Sequence, residues 1–397
     1  MLQKQGALAV ASAMAESLCA VSRYIKLFPR PMIHTSKTPA WTWLVPLAGI
    51  ILFVVATMLG FGEDFASSTS GIAIAVLLLP ALIGAVFAAV YHAEDAAHQT
   101  GEPIGTLILT IAVTVIELAL IVSLIISGKA SPTLVRDTVY AVIMLIMTGV
   151  VGLCISVGGL RYREQRFDIT STKIYLAVLI VLASLTLLLP NYTMSGPTAQ
   201  FTEGQLAFVS VVTLALYGVF LFTQTVLHKN YFAGEHVEGA VAPAGKSKRL
   251  TMAIALLSLA LAAVVVLAKL FSAVLSVAVT AAGAPLAVIG VVVALIVLTP
   301  ESIAAVGAAR RDDLQKSLNL ALGSSLATIG LTIPAVAIAN IFMHQPMTLG
   351  LEQRDTALLI TTLAASMLTF GTGRTNVLFG FLHLVLFGTF IFLVFVP

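Results

Sequence analysis

The chain has 397 residues, 59% of them hydrophobic and only 10% charged, with a mean hydropathy of +1.04. A soluble core of this length does not need so many apolar residues, so the composition excludes an ordinary globular protein and indicates a polytopic helical protein whose solvent is a lipid bilayer. A net charge of +3 leaves no footprint for nucleic acid, and two cysteines, Cys19 and Cys154, form no disulfide framework.

Residues 1–40 read as a cytoplasmic extension. Within them Ala7 to Val21 is mildly apolar but too short to span, and reads as an interfacial helix; a start at Met32 is an alternative. An extra N-terminal helix follows in 41–69, spanning from Trp41 to Leu59, with Trp41 and Trp43 suited to the headgroup region. A first set of five spans occupies 70–227. They are Gly71 to Tyr91, Pro103 to Ser127, Leu134 to Leu160, Ile174 to Leu189 with Pro190 as its stop, and Gln205 to Leu227. The longest polar loop, 228–249, carries Glu235, His236 and Glu238 and then Lys246, Lys248 and Arg249. A second set fills 250–397: Leu250 to Phe271, Pro285 to Ala308, Ser317 to Phe342, Thr356 to Phe370 and Val377 to Val396. The expected fold is therefore all-α and polytopic, with about eleven membrane helices.

Two of these spans carry a carboxylate in mid-course. Glu117 lies in Gly101 to Leu124, and Thr106, Thr110 and Thr114 precede it at spacings of four, four and three, which places all four side chains on one stripe. Glu301 lies in Pro285 to Ala305, flanked by Thr299 and Ser302. Pro300 beside it cannot donate to the carbonyl of Ile296, which points to a broken helix with a free carbonyl next to a buried acid. An ionised glutamate at bilayer depth costs at least ~3 kcal/mol, so such residues face a partner, a cavity or an ion.

Lysine and arginine cluster in the N-terminal arm and in the loops after the fourth, sixth and eighth spans, which puts the N-terminus in the cytoplasm and the C-terminus outside. The Glu117 and Glu301 helices then run in opposite directions. Each is followed by a span rich in small and hydroxyl residues: Thr148, Gly149, Gly152 and Ser156 in one, Asn319, Gly323, Ser324, Ser325 and Thr328 in the other. Two inverted repeats with a site at the midplane are the architecture of many secondary transporters.

Carboxylates, hydroxyls, an amide and a freed carbonyl are hard oxygen donors, suited to Ca2+ and, less specifically, to Na+ or K+. No Cys or His accompanies them at depth, which argues against zinc or copper. Desolvation penalises an ionised carboxylate, so protons compete with the cation for the same oxygens, and that competition is antiport. The candidate cation ligands are Glu117, Glu301, Thr110, Thr114, Thr299, Asn319, Ser324 and Ser325, with the two glutamates carrying the proton coupling. His92, Glu94, Asp95 and Glu102 form a candidate cytoplasmic vestibule that concentrates cations; the plainer reading is a solvated loop end. For the threonines the plainer reading is a hydroxyl bonded back to its own helix. No HExxH and no GxSxG occurs, so an intramembrane hydrolase is disfavoured, and no cofactor or obligatory protein partner is called for.

The stretches HAEDAAHQTGEPIGTLILTIAVTVIELALIVSL and LTPESIAAVGAARRDDLQKSLNLALGSSLATIGLTIPAVAI closely resemble the ChaA-type bacterial Ca2+/H+ antiporters of the cation/Ca2+ exchanger superfamily. The resemblance runs from about Trp41 onward. It implies ten helices in two inverted halves plus one extra N-terminal helix, and places the two essential acidic residues on Glu117 and Glu301. One departure is the fourth span, MTGVVGLC, where an asparagine is expected near Thr148. The reading is an inner-membrane antiporter that exports Ca2+ in exchange for H+, with Na+ or K+ export by the same site, or less favourably a cation channel, as alternatives.

Overall fold

A computed structural model describes residues 38–61, 69–101, 104–126, 131–194, 199–232, 247–343 and 347–396. The expected interfacial helix at Ala7 to Val21, the vestibule candidate Glu102 and the loop residues Glu235, His236 and Glu238 lie outside them.

Eleven long helices form, in this order: α1 (Trp41–Met58), α2 (Thr69–Thr100), α3 (Ile104–Ile126), α4 (Leu134–Tyr162), α5 (Ile169–Tyr192), α6 (Glu203–Leu227), α7 (Ser247–Ala281), α8 (Ala287–Ala309), α9 (Leu314–Ala339), α10 (Gln353–Phe370) and α11 (Val377–Phe395). All but α10 are long and apolar enough to cross a membrane; α10 begins with Gln353, Arg354 and Asp355. The plan of α2–α6 recurs in α7–α11. Each half opens with a long helix, continues with a glutamate helix, and then has a helix interrupted by a π-turn. These turns are Leu145–Val150 in α4 and Thr328–Thr332 in α9. The protein is thus an all-α polytopic membrane protein with two inverted five-helix halves and one additional helix.

Burial explains the layering. Every residue from Thr138 to Gly152 is buried, so α4 is covered on all faces and lies at the centre, as does the stretch of α9 from Ser325 to Gly330. The outer helices expose their apolar residues instead: Leu44, Leu47, Ile51 and Val55 on α1, Phe208, Val211, Val219 and Phe222 on α6, Leu378, Phe381, Leu382 and Val385 on α11. Leaving such side chains in water would forfeit roughly 1.5–3 kcal/mol each, so these faces belong in hydrocarbon. Where α8 crosses α4 the approach is set by Gly290, since a Cβ there would sit 2.9 Å from backbone atoms of Asp137 and Thr138.

Helix ends follow local chemistry. Asp168 caps α5, its carboxylate accepting from the Ser171 amide at 2.7 Å, and Asp313 caps α9 through the Lys316 amide at 3.0 Å. Thr202 and Gln205 form a reciprocal capping box at the start of α6.

Several expectations are corrected. The helix of the second span does not end at Tyr91 but runs on to Thr100, because HAEDAAHQT holds no breaker until Gly101, whose φ of +67° ends it. His92, Glu94, Asp95 and His98 are therefore helical, not a loop end. The seventh helix extends ten residues past Phe271 to Ala281. Pro190 does not stop α5 but sits in a closing 3-10 turn, Leu189–Tyr192. The helix is not broken at Pro300, since α8 is continuous from Ala287 to Ala309; π-turns lie instead in α4 and α9, and also in α5 (Ser184–Leu188) and α6 (Thr223–Leu227). Two short strands, β1 (Glu164–Arg166) and β2 (Arg374–Asn376), pair antiparallel with Gln165 opposite Thr375. Three-residue strands carry no periodic signal, so they were not legible beforehand.

Candidate cation site

Glu117 sits midway along α3 and is 1% exposed. Its Oε2 accepts a hydrogen bond from the Thr328 hydroxyl at 3.1 Å, across to the π-turn of α9. Its Oε1 is buried and has no hydrogen-bond partner. The Thr332 hydroxyl, at the other end of the same turn, faces this carboxylate but falls short of hydrogen-bond geometry and is itself buried and unpaired. Thr328 and Thr332, four residues apart at the two ends of the turn, share a face toward the same carboxylate.

Glu301, on α8, keeps its Oε2 buried and without a partner. The charges in its electrostatic reach are the carboxylates of Glu117 and Glu94. The two acids thus lie within electrostatic reach of each other where α3 and α8 pack together.

The remaining candidates divide. Ser324 and Ser325 lie one turn before Thr328, and both hydroxyl oxygens are buried and unpaired. Thr114 donates back to the Thr110 carbonyl at 2.9 Å, and Thr299 to the Leu295 carbonyl at 2.5 Å, leaving only oxygen lone pairs to offer a cation. Asn319 lies nine residues before Thr328, about 13 Å along the helix axis. There its Nδ2 donates to the Phe232 carbonyl at 2.7 Å and its Oδ1 accepts from Gln315 at 2.9 Å. Its amide atoms are thus engaged by Phe232 and Gln315.

The vestibule candidates separate in the same way. His92 Nε2 meets the Thr42 carbonyl of α1 at 3.2 Å, and Asp95 pairs with Arg249 of α7 at 3.0 Å while accepting from Gln99 at 3.0 Å. These two serve the packing of α1, α2 and α7. Glu94 is exposed and is the residue of the group that faces Glu301 electrostatically.

The π-turn of α4 offers less. The Thr148 hydroxyl is turned onto the Met144 carbonyl of its own helix. The Met147 carbonyl is bonded to Nδ1 of His383 on α11 at 2.7 Å, and the other ring nitrogen of His383 meets the Thr369 hydroxyl at 3.0 Å. Thr332 and His383 were not singled out from the sequence. Thr332 lies four residues after Thr328, a spacing that keeps both on one helix face and could have found it, whereas nothing in the sequence ties His383 to Met147.

Among the described residues no three His, Cys, Asp or Glu side chains converge as a metal cluster. A cation here would rest on two carboxylates, on hydroxyls, and on the Ile296 carbonyl that Pro300 leaves without its helical donor. Such a hard-oxygen set suits an alkali or alkaline-earth ion as transported cargo.

Comparison with known proteins agrees with this architecture. The model of the sodium/calcium exchanger protein family matches residues 70–226 and again 252–396, one match per half. The chain is 46% identical over 263 residues to the putative ionic transporter y4hA of Sinorhizobium fredii (strain NBRC 101917 / NGR234), covering 66% of this chain and 72% of the relative. It is 36% identical over 276 residues to the sodium-potassium/proton antiporter ChaA of Escherichia coli (strain K12), covering 68% and 74%. Among solved structures, the Ca2+/H+ antiporter protein YfkE superposes with a TM-score of 0.67 at 16% identity, covering 90% of this chain and 99% of the other. The H+/Ca2+ exchanger CAX superposes with a TM-score of 0.63, also at 16% identity and with 89% of each chain covered. These last two likenesses establish the fold. With the family model matched in both halves, and the glutamate helices in both matched segments, the chain belongs to the sodium/calcium exchanger family.

Proposed function

We propose that the protein is a secondary active antiporter of the cell membrane that exports Ca2+ in exchange for H+. Glu117 and Glu301 bind the cation or protons in turn as the site alternates between the two sides. The observation that carries this reading is the Glu117 carboxylate: 1% exposed, held on one oxygen by Thr328, and unpaired on the other. A buried carboxylate with a vacant acceptor either holds a proton or meets a cation, because an unpaired buried charge is costly. Two protons or one divalent ion neutralise a pair of glutamates equally, so each loaded form crosses the cycle with the same charge.

A second reading, Na+ or K+ in place of Ca2+, is favoured by the 36% identity to a relative named as a sodium-potassium/proton antiporter. The test is proton movement in everted membrane vesicles, acidified and then given CaCl2, NaCl or KCl while interior pH is followed with a quenched dye. Dequenching with Ca2+ alone supports Ca2+/H+ exchange. A response to Na+ or K+ supports the second reading, and no response to any of the three between about pH 7 and 9 rejects both.

A further inference from the structure

The π-turn that carries Thr328 is wedged by a side chain from the other half of the molecule. Tyr217, on α6, is 3% exposed, and its ring stacks on Phe220 with centroids 6.2 Å apart. The same ring fills the notch left by Gly330, midway between Thr328 and Thr332. A Cβ on Gly330 would sit 2.6 Å from Cγ and 2.7 Å from Cβ of Tyr217, so no side chain fits there while the tyrosine stays in place. The phenol end faces the Thr110 hydroxyl, two turns before Glu117 on α3, short of hydrogen-bond geometry. Tyr217 therefore faces both elements that meet at Glu117: the turn that supplies its donor and the helix that carries it.

The other half repeats the wedge without the phenol. Phe387 of α11 faces Gly149 in the π-turn of α4, where a Cβ would lie 3.2 Å from the ring. The polar link there comes from His383, one turn earlier, to the Met147 carbonyl. The π-turns of α4 and α9 are thus each propped by an aromatic residue from the last helix of the opposite half, but of the two rings only Tyr217 turns a hydroxyl toward a glutamate helix.

We propose that Tyr217 is a positioning residue of the Glu117 half-site, which sets cation affinity by holding the Thr328 turn against α3. The inference rests on the reading of Glu117 as a cation-binding group. It acts through the hydrogen bond from Thr328 to Glu117, so it governs how tightly a cation is held and leaves the rate of the conformational cycle nearly untouched.

The test uses the full chain in proteoliposomes, with Ca2+, Na+ and K+ as probes and cation-driven proton flux as the readout. Tyr217→Phe removes only the hydroxyl and is expected to raise KM for the driving cation about threefold to tenfold, with kcat within about twofold. Gly330→Ala displaces the ring and raises KM at least as far. In the double variant Gly330→Ala/Tyr217→Gly the contacting Cβ and ring atoms are both gone, so KM returns toward that of Tyr217→Gly alone. Unchanged KM in Tyr217→Phe, a fall confined to kcat, or no rescue in the double variant overturns the inference. Glu117→Gln in the same assay separates the two claims. Normal exchange by that variant sinks the cation-site reading itself, whereas its inactivity beside unaltered Tyr217 variants sinks only the role of the wedge.

Discussion

Thr328→Val is the sharpest probe of the Glu117 half-site. It keeps the branching at Cβ and deletes the hydroxyl that donates to Glu117 Oε2 at 3.1 Å. A hydrogen bond to a charged group contributes about 1.5–3 kcal/mol. Oε1 has no partner of its own, and the Thr332 hydroxyl, which faces the same carboxylate, lies short of bonding geometry. At 1.4 kcal/mol per factor of ten, the ionised, cation-loaded form loses roughly tenfold to a hundredfold in affinity. The assay is KM for the driving cation in proteoliposomes at fixed pH, with Thr328→Ser as the variant that keeps the hydroxyl. KM is expected to rise by that factor in Thr328→Val and to stay near wild type in Thr328→Ser. Raising pH removes the competing proton and is expected to lower KM in both. A Thr328→Val protein that folds and has a KM within about twofold of wild type would refute the argument.

Three further outcomes are expected. Glu117→Gln and Glu301→Gln abolish exchange while leaving insertion and thermal stability intact, since each removes a group that can carry a buried charge; flux by either purified variant decides against its place in the site. Gly290→Ala places a methyl 2.9 Å from the backbone of Asp137 and Thr138 and is expected to destabilise the protein by about 1–3 kcal/mol, read as a lowered melting temperature in detergent. A cysteine introduced by Gly239→Cys is expected to react with a membrane-impermeant maleimide only from the cytoplasmic face, and labelling from outside would invert the assigned topology.

Much of the architecture was legible because it follows from solvent and period. Long apolar runs in lipid have helix as their solution for an open chain, so the order of spans followed from hydropathy, and Glu117 and Glu301 stood out because a carboxylate in such a run is rare. Helix ends were less legible, because nothing in HAEDAAHQT distinguishes a polar loop from a helix that leaves the membrane. The detailed donor set was least legible. Asn319 is chemically an attractive ligand, and only its bonds to Phe232 and Gln315 show that it ties α9 to the chain after α6. Thr332 was within reach of a spacing argument, four residues after Thr328, but Tyr217 becomes a neighbour of the Glu117 half-site through a glycine notch between distant helices, which no local spacing signals.

The two halves share a plan but not a polarity, and this bears on which cation is carried. Two residues before the wedged glycine, one turn has Thr328, whose hydroxyl reaches Glu117, and the other has Met147, whose carbonyl is taken by His383. Ser324, Ser325 and Thr332 add unpaired hydroxyls on the α9 side, whereas Thr148 on the α4 side has its hydroxyl turned to its own helix. Under the proposed exchange the α9 side therefore offers a cation more unengaged hydroxyls than the π-turn of α4 does. Ca2+ takes six to eight oxygens, so in such a site it would complete its shell with retained water. A monovalent ion needs fewer and would sit among the α9 hydroxyls with less retained water. The balance between Ca2+ and Na+ or K+ then turns on the oxygen-poor Met147 side, where the expected asparagine near Thr148 is missing.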